Sequence, residues 1–196
     1  MDSAKTLQQC FRMPTSRSIL GRTSSITNAF VAALTPVIPP TIEEIAHVLS
    51  ILETEATNLR CAYCGDLATE WEHLRPLVKN SRPTGFPSSI KNLVPSCGKC
   101  NQSKGNKDWE VWMRSQAARS PYRRNIQDLE ERIERLKRYE QWADCQPIDL
   151  ANILGAQDDT RYWQLLTTIL AQMQEAQMLA KELSQTITSY YQTNRP

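Results

Sequence analysis

Two cysteine pairs, Cys61-Ala-Tyr-Cys64 and Cys97-Gly-Lys-Cys100, enclose a Glu72-His73 dipeptide, and the second pair runs straight into Asn101-Gln-Ser-Lys104-Gly105. The two-residue gap of a Cys-x-x-Cys knuckle lets both sulfurs reach one ion, so two knuckles can close a tetrahedral thiolate site around Zn²⁺. A zinc held by four protein ligands has no open position and does no chemistry of its own. Any reaction then falls to side chains that the metal holds in place. His73 offers an imidazole that titrates near neutral pH and suits a general base. Glu72 and Asn101 are the other polar side chains placed there.

Other uses of the cysteines fit less well. The chain opens Met1-Asp-Ser-Ala-Lys5 without an apolar run, so a secretory route is not expected and a reducing, cytoplasmic setting is. Two pairs around a charged, Pro-rich insert do not resemble a redox Cys-x-x-Cys unit. Cys10 and Cys145 stand alone and read as ordinary thiols. The 32 residues between Cys64 and Cys97 exceed the gap of a simple zinc ribbon, about 15–20 residues. The excess must hold structure of its own, and Glu72 and His73 lie within it.

The order Cys-x-x-Cys, Glu72-His73-x-x-Pro76, Asn92-Leu-Val-Pro95, Cys-x-x-Cys-Asn101-x-x-Lys104-Gly105 resembles the HNH endonucleases, over about residues 59–113. The resemblance implies an α+β fold: a small ββα-metal module with structural zinc, flanked by N-terminal and C-terminal helices. It implies that His73 activates water for phosphodiester hydrolysis, while Glu72 and Asn101 hold Mg²⁺ or Mn²⁺. Asn92 falls at the family's central Asn and resembles a brace for the loop carrying the base. Asp or His is commoner before the base than Glu72, so Glu70 is a second carboxylate to consider. Adjacent side chains on a strand point to opposite faces, so Glu72 and His73 share one site only if the backbone is irregular there.

Each residue also has a plain structural use. A Glu beside a His is often a surface pair, and Asn101 is a good helix cap. His47, on an apolar stretch without ligand-like neighbours, reads as structural.

Net charge is only +2, but its distribution is one-sided: residues 73–107 carry Arg75, Lys79, Arg82, Lys91, Lys99, Lys104 and Lys107 with no acid. Such a run suits a polyanion, and Arg75, Lys79, Lys99, Lys104 and Lys107 are the expected nucleic-acid contacts, with DNA as partner. No segment approaches the roughly 20 apolar residues of a membrane span. A non-catalytic zinc module that binds nucleic acid, with an oligomerising helical tail, is the competing reading. It would not need His73, Glu72 and Asn101 together.

Around these residues the sequence sets out four stretches. Residues 1–23 are a basic, flexible arm, and 24–58 are helical, with a break near Thr35-Pro36 and a capping box at Thr41-Ile-Glu-Glu44. Residues 59–113 form the nuclease-like module: two strands, a Pro/Gly loop, and a helix after Asn101 that carries Trp109 and Trp112 on one core-facing side. Residues 114–196 are helical, with an amphipathic stretch over 125–142 and a break at Pro147. From 162 to 191 runs a heptad seam of Leu166, Ile169, Met173, Ala176, Ala180, Leu183, Ile187 and Tyr190, for a homodimer or for pairing with 125–142.

Overall fold

The computed structural model describes residues 10–15 and 17–194. They divide into two units, one of Thr27–Asp159 and one of Met1–Ile26 with Thr160–Pro196. Among the described residues no helix is long and apolar enough to cross a membrane.

The first unit is built around the cysteine knuckles. Helix α1 (Thr23–Leu34), part of which lies in this unit, ends before Pro36. The two-residue strand β1 (Val37–Ile38) follows. Thr41 then opens α2 (Ile42–Ile51) with a full capping box: its hydroxyl accepts from the Glu44 amide, and the Glu44 carboxylate accepts from the Thr41 amide. Strand β2 (Glu70–His73) pairs antiparallel with β6 (Leu93–Ser96), in the register Glu70–Ser96, Trp71–Pro95, Glu72–Val94 and His73–Leu93. Between them lie β3 (Val78–Lys79) and β4 (Arg82–Pro83), joined by Asn80 and Ser81, both at positive φ. Such left-handed residues match the twist of a tight hairpin. Strand β5 (Ser88–Ser89) pairs in parallel with β1.

After β6 comes α3 (Gly98–Lys104), whose N-cap is Cys97. The helix expected after Asn101 therefore begins earlier, inside the second knuckle, and Asn101 is not its cap. It also stops sooner. Gly105, at φ 51°, ends it, and Asp108 caps a separate α4 (Trp109–Met113) by accepting from the Val111 amide. Trp109, Trp112 and Met113 are all buried, as expected of a core-facing side. Helix α5 (Leu129–Ala143) follows, shorter at its start than the expected 125–142. It sinks Ile133, Leu136, Tyr139 and Ala143 into the core shared with the four cysteines, Val48, Leu52, Leu74 and Val94. The Tyr139 hydroxyl faces the carbonyls of Ile90 and Leu93 at 2.7 and 3.0 Å. His47 packs at a tilt against Trp142 with ring centroids 5.2 Å apart, in keeping with a structural use. The short α6 (Leu150–Leu154) follows Pro147.

In the second unit, the chain is dominated by α7 (Ala156–Thr193), which begins six residues before the expected 162 because nothing between Gly155 and that point breaks a helix. Leu166 is buried and Ile169, Met173 and Ala180 are half-buried, but every described residue from Lys181 onward is exposed. Much of the basic arm expected over 1–23 lies outside the described residues. Of its described part, Leu20–Arg22 form one 3-10 turn, and the Ser18 hydroxyl and Ile19 amide donate to the Gln177 side chain at 2.8 and 2.7 Å.

Candidate active site and metal centre

The four thiols come together. The sulfurs of Cys61, Cys64, Cys97 and Cys100 all lie within 4.8 Å of one another, and all four residues are buried. Zinc–sulfur bonds of 2.3 Å in a tetrahedron require sulfurs about 3.8 Å apart. Cys64 and Cys97 stand at 3.7 Å. Their ionisation points the same way: hydrogen bonds from Cys100 and Cys64 hold Cys61 down at about 3, while Cys61 and Cys64 push Cys100 up. Thiols so close cannot all ionise side by side without a cation, and a divalent ion would supply it.

The surroundings of the sulfurs are built from outside the knuckles. Arg124 places one guanidinium nitrogen 3.6 Å from the Cys100 sulfur and another 2.8 Å from the Asp66 carboxylate. Arg132 donates to the Cys61 carbonyl at 3.3 Å. Four thiolates around a divalent ion would carry a net negative charge, and Arg124 is placed to offset it. Spacing alone gave no signal for either arginine.

His73 ends β2. Its Nε2 sits 3.0 Å from the Ser88 hydroxyl. Burial first, and then the charge of Lys104, hold the imidazole below its ordinary value, which keeps it neutral near pH 7. Ser88 reaches it from β5, which is itself fixed by pairing with β1. Asn92, 1 % exposed, accepts from the Arg75 amide at 2.8 Å and donates to the carbonyls of Arg75 and Pro87 at 3.0 and 3.1 Å. It therefore ties the loop leaving His73 to the segment that enters Ser88, a geometry that suits a brace.

Glu72 departs from the expectation that it holds a catalytic ion. β2 stays in regular register through His73, so the two side chains point to opposite faces. Glu72 is 6 % exposed, and both its oxygens are engaged: one accepts from the Tyr63 hydroxyl at 2.5 Å, the other from the Lys104 ammonium at 2.6 Å. Burial lifts its carboxyl above the usual range, and burial lowers Lys104. A divalent ion does not fit at this carboxylate as it stands. Glu70 is exposed at the start of β2.

Lys104 departs with it. Expected at a phosphate, it is fully buried on the inner side of α3. Asn101 is half-buried on that helix, and its carboxamide makes no hydrogen bond among the described residues. Of the other expected nucleic-acid contacts, Lys79 and Lys99 are exposed. Lys107 is exposed too, although its ammonium caps the carbonyls of Ser103 and Lys104. Arg75 is drawn into an ion pair with Glu140 at 2.6 Å. Sequence reasoning missed Ser88 and Tyr63. Tyr63 had a faint signal, as an aromatic inside a knuckle; Ser88 had none.

A short antiparallel pair, a helix behind it and a buried cluster of four cysteines placed to bind a metal make a ββα module. Residues 61–107 match the family model of the HNH endonuclease, and that stretch is an HNH domain whose clustered cysteines fit a zinc-braced form. The chain is also similar to the CRISPR-associated endonuclease Cas9 of Corynebacterium diphtheriae, 37% identical over 62 residues. The similarity covers 30% of this chain and 5% of that relative, so the chain spans only a small part of its length. No solved structure matches.

Proposed function

We propose that this chain is an endonuclease that hydrolyses DNA phosphodiester bonds, with His73 as the general base. The observation that carries the reading is the setting of His73: half-buried, neutral, and held at Nε2 by Ser88. With Nε2–H donating to Ser88, Nδ1 keeps its lone pair for the attacking water. Asn92 holds the two segments in register. Exposed Lys79, Lys99 and Lys107 supply phosphate contacts. Zn²⁺ on the four cysteines is the structural metal. HNH nucleases also use a divalent ion, Mg²⁺ or Mn²⁺ here; Asn101 is free to take part in holding it, and Glu72 is not.

A role in restriction or defence fits a compact nuclease. We place the protein in the cytoplasm, where reduced thiols are kept for zinc. A second copy of the chain is the partner we assign to the exposed seam of α7, because the apolar face of α5 is already spent on the module's core.

The experiment is cleavage of supercoiled plasmid by purified protein with Mg²⁺, Mn²⁺ or EDTA, beside a His73→Ala variant that retains zinc. Metal-dependent cutting that the variant loses is expected. One observation favours the rival reading of a non-catalytic nucleic-acid-binding zinc module: Glu72 and Lys104 are consumed by each other. DNA binding without cutting by either protein would establish that rival.

A further inference from the structure

Glu72 already has a cation, and the cation is part of the chain. The Lys104 ammonium lies 2.6 Å from Glu72 Oε1, 2.9 Å from the His73 carbonyl and 3.4 Å from the Gly105 carbonyl. An ammonium has three donors, and here three oxygens receive them. The second Glu72 oxygen takes the Tyr63 hydroxyl. Tyr63 belongs to the first cysteine knuckle and packs edge-on against Trp112, with ring centroids 5.2 Å apart. A continuous set of contacts therefore runs from the zinc knuckle through Tyr63, Glu72 and Lys104 to the backbone of His73.

We propose that Glu72 and Lys104 are a permanently paired positioning unit, that Lys104 fills the place at Glu72 which a divalent ion would need, and that any divalent ion of the reaction is bound without Glu72. Three observations bear on this together. Both residues are buried, so neither reaches solvent or a phosphate. Glu72 points away from the face that His73 presents, since β2 is regular between them. Removing either partner would strand a buried charge, so the pair is retained as a pair. Its work is to fix the carbonyl of His73 against α3, and with it the direction of the imidazole.

The test is Mn²⁺ binding by the zinc-loaded full chain, followed by electron paramagnetic resonance of the free ion. Wild type is compared with Glu72→Gln, Lys104→Met and the double variant. Glu72→Gln is nearly isosteric and keeps an oxygen for Lys104. It should bind Mn²⁺ within about twofold of wild type, whereas a loss of about tenfold or more would make Glu72 a ligand and overturn the proposal. Lys104→Met, checked for zinc content, should gain about tenfold or more, and the gain should vanish in the double variant. A folded Lys104→Met without that gain would equally overturn it. If Lys104→Met loses zinc, the Glu72→Gln comparison decides alone.

The positioning role rests on the nuclease reading and is read in kinetics. Glu72→Gln should lower kcat at near-constant KM. A rise in KM at unchanged kcat would put the pair at the substrate and overturn the assignment. If wild type cuts no DNA, the nuclease reading falls while the Mn²⁺ comparison still stands.

Discussion

Asn92 and Arg75 exchange two hydrogen bonds across the loop that leaves His73: the Arg75 amide donates to Asn92 Oδ1 at 2.8 Å, and Asn92 Nδ2 donates to the Arg75 carbonyl at 3.0 Å. A third bond, to the Pro87 carbonyl, brings in the residue before Ser88. One carboxamide thus sets the spacing between His73 and its hydroxyl partner.

Asn92→Ala would leave a half-buried backbone donor and two half-buried acceptors to find other partners. Each such group costs about 1–3 kcal/mol when left unsatisfied, so a loss of about 3 kcal/mol or more is expected. Denaturant unfolding of the zinc-loaded protein measures it. Cleavage should fall further than the unfolded fraction explains, because Ser88 and His73 lose their common tie. A variant as stable as wild type would remove Asn92 from the role of brace.

In the proposed mechanism, His73 sets the acid side of the activity. Its pKa is lowered in the fold by burial and by Lys104, so between that lowered value and 6.5 the unfolded chain binds more protons than the folded one. Its contribution to stability is therefore present above 6.5 and is lost as pH falls through the lowered value. The same shift keeps the base form populated in mildly acidic solution. The acid limb of kcat/KM against pH should have its midpoint below 6.5, and the His73 ring protons should titrate there by NMR. A midpoint at or above 6.5 would contradict the environment described for the imidazole.

The parts legible in the sequence were those fixed by local spacing. Two-residue gaps between cysteines leave few geometries, and Thr41 with Glu44 makes a cap whose bonds close within one turn. Glu72 and Lys104 read differently because their meaning depends on which side of β2 meets α3. That is a tertiary choice, settled by a partner 32 residues away. Ser88 and Arg124 were invisible for the same reason: each acts on a residue far along the chain, from a segment with no motif of its own.

Arg124 provides a test of how far the metal centre extends beyond residues 61–107. Arg124→Ala removes the guanidinium facing the Cys100 sulfur and leaves Asp66 without its partner at 2.8 Å. Outer partners of metal ligands are typically worth about 10–100-fold in affinity. The expected outcome is faster zinc release to a chromogenic chelator, with a shifted thiolate-to-metal band in the cobalt-substituted protein. Arg124→Lys should recover part of both, since it keeps the charge but not the fork. Unchanged release and spectrum would confine Arg124 to its ion pair with Asp66.

The last turns of α7 carry Leu179, Leu183, Ile187 and Tyr190, each more than half exposed, at 54, 53, 57 and 65%. Their steps of four, four and three residues form a seam on one side of the helix. A lone helix with such a face gains little in water, whereas pairing with a second copy buries it. Light scattering behind size exclusion should therefore find a dimer, and Leu183→Asp with Ile187→Asp should give a monomer that keeps its zinc. One active site cuts one strand, and a two-fold pair can cut both. The variant should accordingly accumulate nicked plasmid where wild type yields linear product. A wild-type monomer at high concentration would dismiss the seam as an interface, and a monomeric variant that still linearises plasmid would separate dimerisation from double-strand cutting.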